Sequence, residues 1–277
     1  MGDLDGQTFC ITGANTGIGR DTALALAGRG GRLVLLGRSL DRTQGVLDEI
    51  ARIGSEADFV ACDLADLSSV ALAADEVLAL DVPLDVLIAN AGLAGRRGET
   101  AQGFELAFGT NHLGHFLLTT RLLGRLREGG PSRVVVVASD SHYAADGIDF
   151  EAVRTPTRSV TGMSEYGVSK LANVLFAQEL ARREDPSSMT TYALHPGVIA
   201  SDIWRRVPWP IRPIITRFMK STEEGAQTTL RCATDAALAA ETGKFYADCV
   251  PKEPSEAATA ALASELWDRS EAWIADL

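Results

Sequence analysis

Short, almost wholly apolar runs alternate along this chain with longer stretches in which apolar residues return every three or four positions. Seven of the short runs predict strands: 8–12, 32–37, 57–61, 84–89, 133–138, 190–195 and 244–246. The stretches 20–28, 43–53, 68–78 and the long 103–127 carry helical periodicity. A run such as Val134 to Val137 is apolar on both of its alternating faces, the pattern of a strand covered by helices on either side. Strand and helix alternating over the whole length predict an α/β fold, a doubly wound parallel seven-stranded sheet with helices on both faces, in one domain spanning 1–277. Two segments break the rhythm. Residues 146–160 read as a loop, and 200–221 carries Trp204, Trp209, Pro208, Pro210 and Pro213 among isoleucines, as an insertion on a scaffold would.

Charge and cysteine usage narrow the function. A formal net charge of −11 excludes the basic footprint of a nucleic-acid binder. Cys10, Cys62, Cys232 and Cys249 are far apart and form no C-x-x-C pair, so neither a metal site nor a disulfide framework is expected. The N-terminus shows no basic and apolar signal regions, and no apolar run approaches the roughly 18 residues of a membrane span. The expectation is a cytoplasmic protein without a transmembrane segment.

Candidate chemistry begins directly after the first strand, at Gly13-Ala-Asn15-Thr16-Gly17-Ile18-Gly19. Glycines between a strand and a helix allow a tight turn and let backbone N–H groups approach a pyrophosphate at the helix N-terminus. The spacing is G-x-x-x-G-x-G. The second strand ends in Arg38-Ser39, where an acid would accept from an adenosine 2′-hydroxyl and an Arg suits a 2′-phosphate. Arg38, with Arg42 nearby, therefore favours NADP over NAD. Asp63-Leu64 after the third strand and Asn90-Ala91-Gly92 after the fourth lie on the same carboxyl edge. Tyr166 and Lys170 stand four apart, on one face of a helix. That spacing suits either a chance pair on a wet face or an acid/base pair in which the ammonium lowers the phenol's pKa.

In order and spacing, T-G-x-x-x-G-I-G, Asn-Ala-Gly, Asn111 in Asn-His-Leu-Gly-His-Phe, Ser139, Tyr166-x-x-x-Lys170 and Pro196-Gly197 resemble the short-chain dehydrogenase/reductase family. Residues 110–119, 166–173 and 223–228 resemble its retinol-dehydrogenase-like branch. The resemblance implies a catalytic tetrad of Asn111, Ser139, Tyr166 and Lys170. It also extends the cofactor contacts to Pro196, Gly197, Val198 and Ser201. In that scheme Ser139 steadies the developing oxyanion, Tyr166 transfers the proton, Lys170 tunes Tyr166 and holds the nicotinamide ribose, and Asn111 holds a water at a break in its helix. Two departures stand out: Ala89 replaces the first Asn of Asn-Asn-Ala-Gly, and Ala138-Ser139 is followed by Asp140 and Ser141, with Ser141 the fallback hydroxyl.

The resemblance further implies an NADPH-preferring carbonyl reductase or alcohol dehydrogenase, a substrate lid at about 198–221 and a homodimer or homotetramer. The two Trp and several Ile of the lid suit a hydrophobic small molecule, and its Arg205, Arg206, Arg212, Arg217 and Lys220 suit an anionic one or a membrane surface. A non-catalytic NADP(H)-binding regulator and an NAD-dependent alcohol dehydrogenase stay open. Sugar-nucleotide epimerases usually show T-G-x-x-G-x-x-G, which this chain lacks.

Overall fold

The computed structural model describes residues 2–197 and 221–277. Val198, Ser201 and nearly all of the expected lid lie outside the described residues. Eight strands form one sheet: β1 (Thr8–Thr12), β2 (Arg32–Gly37), β3 (Ala57–Ala61), β4 (Val86–Ala89), β5 (Ser132–Val137), β6 (Met189–His195), β7 (Lys244–Ala247) and β8 (Val250–Lys252). Their order is β3-β2-β1-β4-β5-β6-β7-β8. The first seven run parallel, and β8 pairs antiparallel to β7. Seven strands were expected; the eighth is an exposed three-residue edge strand containing Pro251, too short and too polar to announce itself.

Among the described residues the helices are α1 (Gly17–Gly28), α2 (Leu40–Ile53), α3 (Leu67–Ala79), the single turn α4 (Leu106–Phe108), α5 (Gly114–Glu128), α6 (Met163–Arg183), α7 (Thr222–Thr234) and α8 (Ala260–Ile274). The expected helix at 103–127 is broken, with a π turn at Gly109–Leu113 between α4 and α5. The loop at 146–160 holds only a 3₁₀ turn, Ala152–Arg154.

Alternation along the strands explains the two layers. Val34, Leu36, Val134 and Val136 point into one core, with Phe116, Leu171, Leu175 and Trp267 from α5, α6 and α8. Their neighbours Leu33, Leu35, Val135 and Val137 point into the other, with Leu26, Val46, Ile50 and Cys232 from α1, α2 and α7. Because β1 to β7 are parallel, the segments leaving β1 to β6 all emerge on one edge. Between β1 and β4 the chain order reverses, the place where such sheets open a crevice for ligands. Among the described residues, no helix is long and apolar enough to cross a membrane.

Candidate active site and cofactor cleft

The glycine loop turns at Gly13 and Gly17, with φ of 71° and 58°, a region that a side chain makes costly. Its packing is as demanding as its conformation. A Cβ on Gly13 would stand 2.9 Å from the Ala91 Cβ, and one on Gly19 would stand 2.5 Å from both the Asn90 Nδ2 and the Gly13 carbonyl oxygen. Asn15 and Ile18 are half-buried beside this turn, and Thr16 is exposed. Thr16 occupies the N-cap of α1 without a side-chain cap bond, and the first turn of α1 holds no acid. By contrast α2, α3, α7 and α8 are capped by Ser39, Asp66, Ser221 and Thr259. α6 also opens without a side-chain cap, at Gly162, but the donors opening α1 follow the glycine turn on the carboxyl edge of the sheet and suit an anion there.

Thr12, at the end of β1, was not singled out from the sequence, yet it organises this corner. Its Oγ1 accepts from the N–H groups of Asn90 (3.0 Å) and Ala91 (2.9 Å), and the Asn90 Nδ2 donates to the Thr12 carbonyl at 2.8 Å. Arg38 is exposed at the end of β2, and neither it nor Arg42 forms an ion pair among the described residues. Ser39 accepts from the Arg42 N–H, a capping duty. Asp63 is half-buried and its carboxylate accepts from the Ala65 N–H, whereas Leu64 turns its side chain into the core and leaves only backbone to a ligand.

Beyond β4 the loop meets the tetrad. Gly92 is exposed, and a Cβ there would stand 3.2 Å from the Asn111 Oδ1 and 3.4 Å from the Lys170 Nζ. Asn111 sits in the π turn, fully buried, and both ends of its side-chain amide are bonded. Oδ1 accepts from the Leu93 N–H (2.9 Å), while Nδ2 donates to the Leu93 carbonyl (3.0 Å) and to the Ser169 Oγ (2.9 Å). Ser169 in turn donates to the Tyr166 carbonyl. The amide thus clamps the β4 loop to α6.

Tyr166 and Lys170 lie in the first two turns of α6, with the ammonium 5.7 Å from the phenol ring centre. Lys170 is 3% exposed and donates to the Val137 carbonyl at 2.8 Å, so the end of β5 fixes its position. Burial lowers Lys170 from 10.5 to about 7. Burial also raises Tyr166, and a hydrogen bond with Ser139 pulls it the other way. Each group is costly to ionise alone in this dry corner; ionised together, as ammonium and phenolate, they offset one another.

Ser139 follows β5. Its Oγ accepts from the Ser141 N–H at 3.1 Å and donates to the Ser141 Oγ at 3.2 Å. The His142 Nδ1 bonds the Ser139 carbonyl at 2.6 Å while its Nε2 accepts from the Ser255 N–H, which fixes the turn from behind. Asp140 pairs with Lys252 of β8 at 3.4 Å and lies 3.7 Å from the His195 Nε2. Pro196 and Gly197 leave β6 on the same edge, Gly197 with φ of 96°. Arg96 and Arg97 are exposed, and Cys10 and Cys62 are buried, burial pushing the Cys62 thiol up to about 12.

The structure therefore brings Asn111 and Lys170 together at Gly92, with Tyr166 one turn before Lys170 and its phenol bonded to Ser139, beside the glycine turn. A dinucleotide suits that edge: the glycines let the loop turn tightly against Asn90 and Ala91, and the first backbone donors of α1 have no side-chain cap, as a pyrophosphate requires. Sequence reasoning missed Thr12, Ser169 and the Val137 carbonyl. The two hydroxyls sit inside quoted motifs, but only the fold shows which way they bond.

Comparison with known proteins agrees. The family model described as short chain dehydrogenase matches residues 7–209. Human "Retinol dehydrogenase 11" is 40% identical over 96% of this chain and 85% of its own length. Human "Dehydrogenase/reductase SDR family member 13" is 40% identical over 98% of this chain and 74% of its own. The crystal structure of an uncharacterized protein from Mycobacterium Paratuberculosis superposes with a TM-score of 0.78 at 32% identity, covering 99% of this chain and 98% of that one. The fold, the ordered motifs and these matches together assign the chain to the short-chain dehydrogenases, an oxidoreductase family, in the branch that resembles retinol dehydrogenases.

Proposed function

We propose that this protein is an NADP(H)-dependent oxidoreductase that moves hydride between the nicotinamide and a carbonyl, or the corresponding primary or secondary alcohol, of a hydrophobic small molecule. The observation that carries the reading is the buried Lys170 one helical turn from Tyr166, whose phenol meets Ser139. When bound, the nicotinamide supplies or accepts the hydride. In reduction, negative charge grows on the carbonyl oxygen, and Ser139 donates a hydrogen bond toward it, exchanging its bond to Ser141 for one to substrate. Tyr166 delivers its phenolic proton to the same oxygen. In oxidation the phenolate takes the alcohol proton, and Lys170 stabilises that phenolate across a low-dielectric gap. Lys170 would also hold the nicotinamide ribose, and Gly197 would bring backbone to the nicotinamide amide. Asn111 keeps the β4 loop and α6 at a fixed spacing. Arg38, exposed and without an ion pair among the described residues, would take the adenosine 2′-phosphate, with Arg42 beside it. Asp63 would face the adenine.

The hydrophobic character of the substrate rests on the apolar composition of 200–221 and on relatives whose names say retinol dehydrogenase. The test combines fluorescence titration with NADPH and NADH and turnover against a panel of hydrophobic aldehydes and ketones. Expected are tighter NADPH binding, oxidation of NADPH by at least one carbonyl, and loss of turnover in Tyr166→Phe with NADPH binding retained. Tight binding with no turnover across the panel would favour a regulatory role instead. Full activity in Tyr166→Phe would remove the assigned acid.

A further inference from the structure

His115, one helical turn beyond Asn111, is buried and joins two parts of the site through its two ring nitrogens. Nε2 lies 2.9 Å from the Thr12 Oγ1, and Nδ1 lies 2.9 Å from the Asn111 carbonyl oxygen. Hydrogen counting fixes the tautomer. The Thr12 Oγ1 already accepts two backbone N–H groups, from Asn90 and Ala91, so its single proton is free for His115. Nε2 therefore accepts, and Nδ1 carries the ring proton and donates to Asn111, as a carbonyl requires. Burial holds the ring neutral, lowering its pKa to about 4.

We propose that His115 is a positioning residue for hydride transfer: as the Nδ1–H tautomer it ties the glycine-loop corner at Thr12 to Asn111, and so sets the spacing between the cofactor side of the cleft and the Tyr166–Lys170 helix. Asn111 passes that position on through Leu93 and Ser169, and Gly92 beside it touches both Asn111 and Lys170. Asn173 reaches the same carbonyl from α6, its amide nitrogen 2.9 Å away when turned toward it, so His115 is the arm that leads to β1. The inference rests on the tetrad proposed above.

Two substitutions separate the two ends of the ring. Asn places its amide nitrogen where Nδ1 stands and keeps the bond to Asn111, whereas Gln places its amide where Nε2 stands and keeps only Thr12. Each substitution cuts the tie at one end, so His115→Gln and His115→Asn are both expected to lower kcat about tenfold, because small misplacements of reacting groups are costly. The Kd for NADPH should change less than about twofold in both. A kcat within about twofold of the parent in either variant would overturn the proposal. A second measurement needs no variant: ¹⁵N spectra of the intact protein, with four histidines to assign, should show His115 as the neutral Nδ1–H form at pH 7. An Nε2–H form or an imidazolium would refute it. Tyr166→Phe is run alongside. If that variant keeps turnover, the tetrad reading fails; if it is dead while either His115 variant keeps the parent's kcat, only the positioning role falls.

Discussion

Lys170 shows at the scale of one residue what the site costs the fold. The ammonium is almost wholly buried, its partner in the structure is a carbonyl and not a carboxylate, and burial brings its pKa from 10.5 to about 7. A lowered pKa for a base means that the unfolded chain binds the proton more tightly. The penalty is at its full size below pH 7, where both states are charged, and it fades as pH rises from about 7 to 10.5, where only the unfolded state holds the proton. Lys170→Met keeps the length and removes the charge. It should abolish turnover yet raise stability by about 1–2 kcal/mol at neutral pH, a trade commonly found at active sites. Urea unfolding at several pH values checks the sign: the gain should be largest below pH 7 and shrink toward pH 10. A variant less stable than the parent at pH 6 would mean that the bond to Val137 outweighs the buried charge. Arg38 lies at the other extreme, exposed, so its substitution should leave folding almost untouched. Arg38→Asp is expected to lower the NADPH/NADH ratio of kcat/KM at least about tenfold, or about 1.4 kcal/mol. An unchanged ratio would take Arg38 out of cofactor choice.

At the scale of elements, two features show what patterning reveals and what it hides. Strand β2 was legible end to end and β5 to within one residue at each end because a strand buried on both faces is apolar through its middle, and the glycine loop was legible because its φ values and close contacts exclude other residues. The hairpin joining β7 to β8 was not. Its two turn residues, Asp248 and Cys249, both have positive φ, at 50° and 62°, the geometry of a type I′ turn that usually reads Asn-Gly. Backbone bonds hold it in place: the Cys249 N–H donates to the Thr228 Oγ1, and Arg231 donates to the Cys249 carbonyl. A cysteine in that conformation carries strain of about 1 kcal/mol or more. Cys249→Gly keeps both backbone bonds and should therefore raise Tm by about 2–4 °C by calorimetry. A fall in Tm would show that the Sγ contact with Thr228 matters more than the strain. The π turn was half legible. A break at Asn111 followed from the family resemblance, but that its side chain clamps Leu93 and Ser169 depends on where the β4 loop and α6 meet, which no local pattern encodes.

Across the whole molecule, two electrostatic effects oppose each other when an anionic cofactor binds. The body carries a net charge of −11 and repels it, while the carboxyl edge of the sheet offers the uncapped N-terminus of α1 and the exposed Arg38 and Arg42. NADPH and NADH differ by one phosphate, so the ratio of their Kd values isolates the surroundings of that group from everything they share. Diffuse repulsion acts over distances that salt screens early, whereas a guanidinium in contact with the phosphate acts at close range and is stronger. If Arg38 makes that contact at an exposed site, salt weakens it as well, since the Debye length falls from about 30 Å at 0.01 M to about 3 Å at 1 M. The preference for NADPH should then be strongest at low salt and fall severalfold across that range, while the Kd for NADH changes less. In Arg38→Asp the slope should reverse, because the introduced carboxylate and the acidic body then outweigh Arg42 and their repulsion is what salt screens. A preference for NADPH that grows with salt in the parent protein would mean that the acidic body governs the phosphate and that Arg38 does not reach it.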